Sequence, residues 1–160
     1  MDHLQLPPVT MVTTKAGAAA GTTTTTTIAN AVQYCILGKA YLKAAATNAA
    51  TPTTDFTTGA AFLPVAPNNG CAFVLGLDSG GAIRVSQGPI GALDASGAFL
   101  NAPQFPLVHD TVAPYAYLVT RVGATGSAWT FGTSNLAGPP TGVTHAFTDI
   151  MTLPGRPQVA

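Results

Sequence analysis

The stretch Cys71-Ala72-Phe73-Val74-Leu75-Gly76-Leu77-Asp78-Ser79-Gly80-Gly81-Ala82-Ile83-Arg84-Val85-Ser86-Gln87-Gly88 decides the fold class. Its first seven residues are dense in strand formers. Asp78-Ser79-Gly80-Gly81 is turn chemistry, with two glycines free to take positive φ. On the return, Ile83 and Val85 fall on one face and Arg84 and Ser86 on the other. That is the period-two alternation of a strand with one buried side. The stretch therefore reads as a β-hairpin.

The flanking sequence repeats the pattern. Upstream, Val32-Gln33-Tyr34-Cys35-Ile36 and Lys39-Ala40-Tyr41-Leu42-Lys43 are joined by Leu37-Gly38 and read as a second hairpin. A single helix over 29–46 is the rival, but Gly38 in its middle and the lack of a capping box count against it. Downstream, Tyr115–Val122 and Ser127–Gly132 read as a third strand pair, reversing at Gly123 to Gly126. Val143–Ile150 reads as a last strand, and Phe62-Leu63-Pro64-Val65 as a short edge strand, since proline restricts it to an edge. Turn-rich segments separate these elements. Some seven short strands predict an all-β domain over 28–160, a single antiparallel β-sandwich or barrel of jelly-roll-like form.

Residues 1–27 read differently, as an extended N-terminal arm outside the core. Pro7-Pro8 enforces extended backbone. Lys15 to Gly21 and the tract Thr22-Thr23-Thr24-Thr25-Thr26-Thr27 are low in complexity, and six β-branched residues disfavour a helix. A flexible linker and an edge strand for a neighbouring subunit both fit. The favoured reading is an arm ordered by contact with another surface.

Composition narrows the function. Of 160 residues, 28 are Ala, 24 Thr, 17 Gly and 13 Pro, while six Lys or Arg face six Asp and no Glu. Charged residues make up 8%, against roughly 25% in ordinary soluble proteins. With no basic excess, nucleic-acid binding is not expected. No apolar run approaches a membrane span, and Met1-Asp2-His3-Leu4 shows no signal-peptide pattern. A chain with so little charge tends to associate, so work inside an assembly is expected.

The reactive residues form no catalytic pattern. His3, His109 and His145 are scattered, and no cofactor or metal is expected because no His, Asp or Cys fall at zinc spacing. His109-Asp110 reads as a loop pair, and His145 as a cross-strand or surface residue. Cys35 and Cys71, both inside predicted strands, read as free thiols packed like small hydrophobes, with an inter-strand disulfide as the alternative. The chain is not expected to be an enzyme.

Three segments carry a resemblance: Val32–Tyr41, Phe73–Pro89, and a last group made of Ala113–Val119, Trp129–Thr133 and Asp149–Pro157. Their order of strands and turns resembles that of small virion structural proteins of tailed bacteriophages. The resemblance implies a capsid decoration or cement protein on the outer capsid surface of the virion, with the major capsid protein as partner. A homo-oligomer, dimer or trimer, on the particle is expected. The contact residues expected are Pro7, Pro8, Lys15, Thr22, Thr23, Thr24, Thr25, Thr26 and Thr27 of the arm, with Asp78, Gly80 and Gly81 of the hairpin loop. The alternative is a tail or fibre module reading a host surface glycan through Tyr34, Tyr41, Tyr115, Tyr117 or Trp129.

Overall fold

The hairpin over 71–88 forms part of the central sheet of the molecule. The computed structural model describes residues 9–157. Their strands in chain order are β1 (Met11–Val12), β2 (Ala18–Ala20), β3 (Thr26–Ile28), β4 (Val32–Ile36), β5 (Lys39–Lys43) and β6 (Ala46–Ala49). They continue with β7 (Asn69–Leu77), β8 (Ile83–Gln87), β9 (Gly91–Ala92), β10 (Ala113–Val122) and β11 (Val143–Asp149). Three antiparallel sheets result: β1-β4-β5, β2-β3-β6, and β11-β10-β7-β8 with β9 also on β7. The molecule is all-β and layered like a sandwich. It is not a closed barrel, because β5 and β8 each end a sheet.

Both faces of the central sheet are covered, so β7 and β10 are buried almost throughout. On one face Phe73, Leu75, Leu77, Tyr115 and Leu118 join Val12, Ile28, Val32, Tyr34, Trp129 and Phe131. On the other, Val74, Tyr117 and Val119 pack with Ile150, Phe99, Phe105 and Leu153. An aromatic group centres the larger cluster. The ring of Phe131 stacks on Phe73 at 5.2 Å and meets Phe62 edge-on at 5.1 Å.

The hairpins over 32–43 and 71–88 form as expected. In the first, Leu37 and Gly38 both take positive φ, 49° and 81°. That is the pattern of a two-residue turn matched to strand twist, which is comfortable for glycine and strained for leucine.

Two expectations need correction. Ser127–Gly132 is not a strand. β10 is already flanked by β7 and, from Ala116↔Asp149 to Val122↔Val143, by β11, so no free edge remains for it. Trp129 instead exchanges backbone hydrogen bonds with Val65, at 2.8 and 3.0 Å, an isolated bridge that also replaces the edge strand expected over 62–65.

The second correction concerns the N-terminal segment. From residue 9 onward it is extended, as expected, but it is not outside the core. Val12 and Ala16 are fully buried, and Thr26 is nearly so. β1 pairs with β4, and β3 lies between β2 and β6. The Asp149 carboxylate accepts the Gly17 and Ala18 amides at 3.0 and 2.8 Å, and Thr23 O accepts the Leu136 amide at 2.8 Å. The β-branched tract finds its partners on its own chain.

Candidate functional site

The expected contact residues differ widely in exposure. Pro7 and Pro8 lie outside the described residues. Lys15 is exposed, its carbonyl holding the Asn30 side chain. Thr22 and Thr23 are exposed, Thr24, Thr25 and Thr27 half-buried, and Thr26 buried. The Thr22 amide and Thr25 hydroxyl both donate to Asn48 Oδ1.

Asp78, Gly80 and Gly81 make a built loop. Asp78 Oδ1 accepts the Gly80 and Ala82 amides, both at 2.9 Å, while Oδ2 accepts Arg84 Nε at 2.8 Å. Burial alone would raise the Asp78 pKa, but the Ala82 amide, Arg84 and the Gly80 amide outweigh it and hold the carboxyl below its usual value. Gly81, at φ 76°, is buried, while Gly80 is exposed and has negative φ. Tyr34 donates its hydroxyl to Asp78 O at 2.9 Å, tying the β4–β5 hairpin to this loop.

The aromatic residues expected as glycan platforms are mostly interior. Tyr34, Tyr115, Tyr117 and Trp129 are at most 2% exposed, which leaves half-buried Tyr41. Burial raises the pKa of the Tyr115 hydroxyl. His145 sits cross-strand from Thr120, with Nδ1 3.0 Å from its hydroxyl, and its ring lies 4.7 Å from Trp129. Burial pushes its pKa down to about 4, against a smaller pull from the Asn135 carbonyl. Both cysteines are free thiols: Cys71 is buried, and Cys35 is partly exposed. Burial pushes the Cys71 thiol up to about 12. Among the described residues no three His, Cys, Asp or Glu cluster closely enough to hold a metal ion.

Asp55 was not legible as a functional position, yet it determines the state of one sheet edge. Its buried carboxylate accepts the Thr57 and Thr58 amides at 2.7 and 2.9 Å and the Gln87 amide at 2.6 Å. Beside it, the Phe56 amide donates to Val85 O at 2.8 Å, and the Gln87 side chain exchanges two hydrogen bonds with the Leu63 backbone. The outer edge of β8 is thereby covered at Val85 and Gln87. A sequence signal existed, since Asp followed by Thr-Thr-Gly is local turn chemistry, but it does not reveal which distant amide the second oxygen reaches.

Among the described residues, none covers the edge of β5 in this way. Beside it lies an open groove of about 510 Å³, lined by Thr13, Gln33, Cys35, Ala40 and Leu42 among others. Leu42 is 67% exposed. Among the described residues this groove and edge are open to another chain. No family model, curated protein or solved structure matches the sequence.

Proposed function

We propose that the chain is a structural virion protein of a tailed bacteriophage that decorates or cements the capsid. It binds major capsid protein subunits on the outer surface of the shell and stabilises them as a non-catalytic component. The observation that carries the reading is the use made of the acids. Asp55, Asp78, Asp94 and Asp149, four of the five described aspartates, accept backbone amides with their side chains. The chain's scarce negative charge is committed to fixing loops and strands.

What remains outside is a hydroxyl-rich, weakly charged surface on which Leu42, Leu63, Leu100 and Leu107 are each more than 60% exposed. Such a body gains by adhesion, because apolar surface removed from water contributes roughly 25 cal/mol per Å². The resemblance in strand-and-turn order supplies the identity of the surface. The test is co-sedimentation of the purified chain with shells assembled from major capsid protein. Saturable binding with a raised temperature of shell disruption is expected. Failure to bind, with shell stability unchanged, would contradict the reading.

A further inference from the structure

We infer that the free edge of β5 is a docking site for an extended, acidic segment of a partner protein, taken up as an added antiparallel strand. The inference goes beyond the virion reading and does not depend on it.

The backbone argument begins at the Leu37-Gly38 turn. A two-residue hairpin makes its flanking pair, Ile36↔Lys39, a hydrogen-bonded one, and alternation does the same for Tyr34↔Tyr41 and Val32↔Lys43. The N–H and C=O groups of Ala40 and Leu42 therefore point away from β4. No backbone partner takes them up elsewhere among the described residues. Four aligned, unpaired groups are a template for one more strand.

Charge decides which strand. Lys39, Tyr41 and Lys43 share one face of β5, and Lys39 lies 5.4 Å from the centroid of the Tyr41 ring. Neither lysine has an ion-pair partner among the described residues, where Arg84 and Asp78 pair with each other. A second copy of this chain, paired about a two-fold axis at Tyr41, would set Lys39 opposite Lys43 twice. Like charges directly opposite are destabilising. A strand with acidic residues four apart turns both positions into opposite-charge pairs. Of its three intervening side chains, the middle one falls opposite Tyr41 on the lysine face. The other two fall on the opposite face beside Ala40 and Leu42, where apolar residues extend the face that carries the groove.

The probe is a capped peptide, Glu-Val-Thr-Val-Glu, titrated into the full chain by NMR and compared with Lys-Val-Thr-Val-Lys. The acidic peptide is expected to bind at least about tenfold more tightly, with its largest amide shifts at Ala40 and Leu42. Leu42→Pro is expected to weaken it at least about tenfold, because proline removes an N–H that the β4 ladder does not use. Lys39→Glu with Lys43→Glu is expected to reverse the preference between peptides, and this double variant decides the matter alone if Leu42→Pro does not fold. Absence of binding, equal binding of the two peptides, full retention in folded Leu42→Pro, or shifts confined to another surface would each overturn the proposal. So would a dimer in sedimentation that Leu42→Pro dissociates, since the edge would then belong to a second copy.

Discussion

β8 and β5 are both five-residue strands that end their sheets, and they are finished in opposite ways. The β8 edge is closed by a loop that Asp55 holds in place, and its outward Val85 carbonyl and Gln87 amide are both taken up. Among the described residues the β5 edge keeps its outward groups unpaired, and it carries lysines at its two ends. Lysine on an edge strand discourages indiscriminate pairing without covering the backbone. One sheet thus belongs to a closed structural body. The other presents a selective edge joined to that body through Tyr34, whose hydroxyl reaches Asp78 O.

The difference should be sharpest in the two thiols. Cys71 lies in the closed sheet, with its thiol 3.1 Å from Gly88 O and its pKa raised to about 12 by burial, whereas Cys35 faces the open groove. A shift of about three units lowers the thiolate fraction roughly a thousandfold. An aromatic disulfide reagent at pH 8 should therefore titrate one thiol per native chain, at Cys35, and the second only after denaturation. Two fast thiols would break the comparison.

Next in size is the Asp55 closure. Asp55→Ala leaves three amides without their acceptor and should cost about 2–4 kcal/mol, read as a lower midpoint in denaturant unfolding. Hydrogen exchange at Gln87 should rise in parallel. A loss under about 0.5 kcal/mol would mean that the loop closes the edge without the carboxylate.

The pH response should also arise in the closed half. His145 has a folded-state pKa near 4, below the ordinary value of 6.5. Between those values the unfolded chain binds the additional proton, so folded stability falls as pH drops from about 6.5 to about 4 and levels off below that. Allowing for its partial exposure, the loss is on the order of 2 kcal/mol. His145→Gln should flatten that part of a thermal-stability profile, and an unchanged slope would assign it elsewhere.

The smallest effect lies in the open hairpin. Leu37→Asn places a residue tolerant of positive φ in the turn and should stabilise by about 0.5–1 kcal/mol. A loss of stability would show that Leu37 contributes through packing, despite being 47% exposed.

These contrasts also mark where the sequence could be read. The hairpins at 32–43 and 71–88 are local, and their turn residues and alternation sit within one short window. Ser127–Gly132 misleads because Trp129 and Phe131 alternate as strand residues do, while competition for β10 is won by β11, which follows them in the chain. The N-terminal segment could not be placed for the same reason. The amides of Gly17 and Ala18 meet a carboxylate more than 130 positions away. The closure by Asp55 and the openness of β5 are properties of tertiary neighbours, so composition revealed a scarcity of charge but not where that charge would be spent.

The most direct test of the contrast is residue-resolved hydrogen exchange on the isolated full chain. The Ala40 and Leu42 amides should exchange at rates near those of exposed backbone, while Gln87 and Gly88 exchange slowly with the core. Equal protection of Ala40, Leu42 and Gln87 would contradict the account, because the β5 edge would already be covered before any partner arrives.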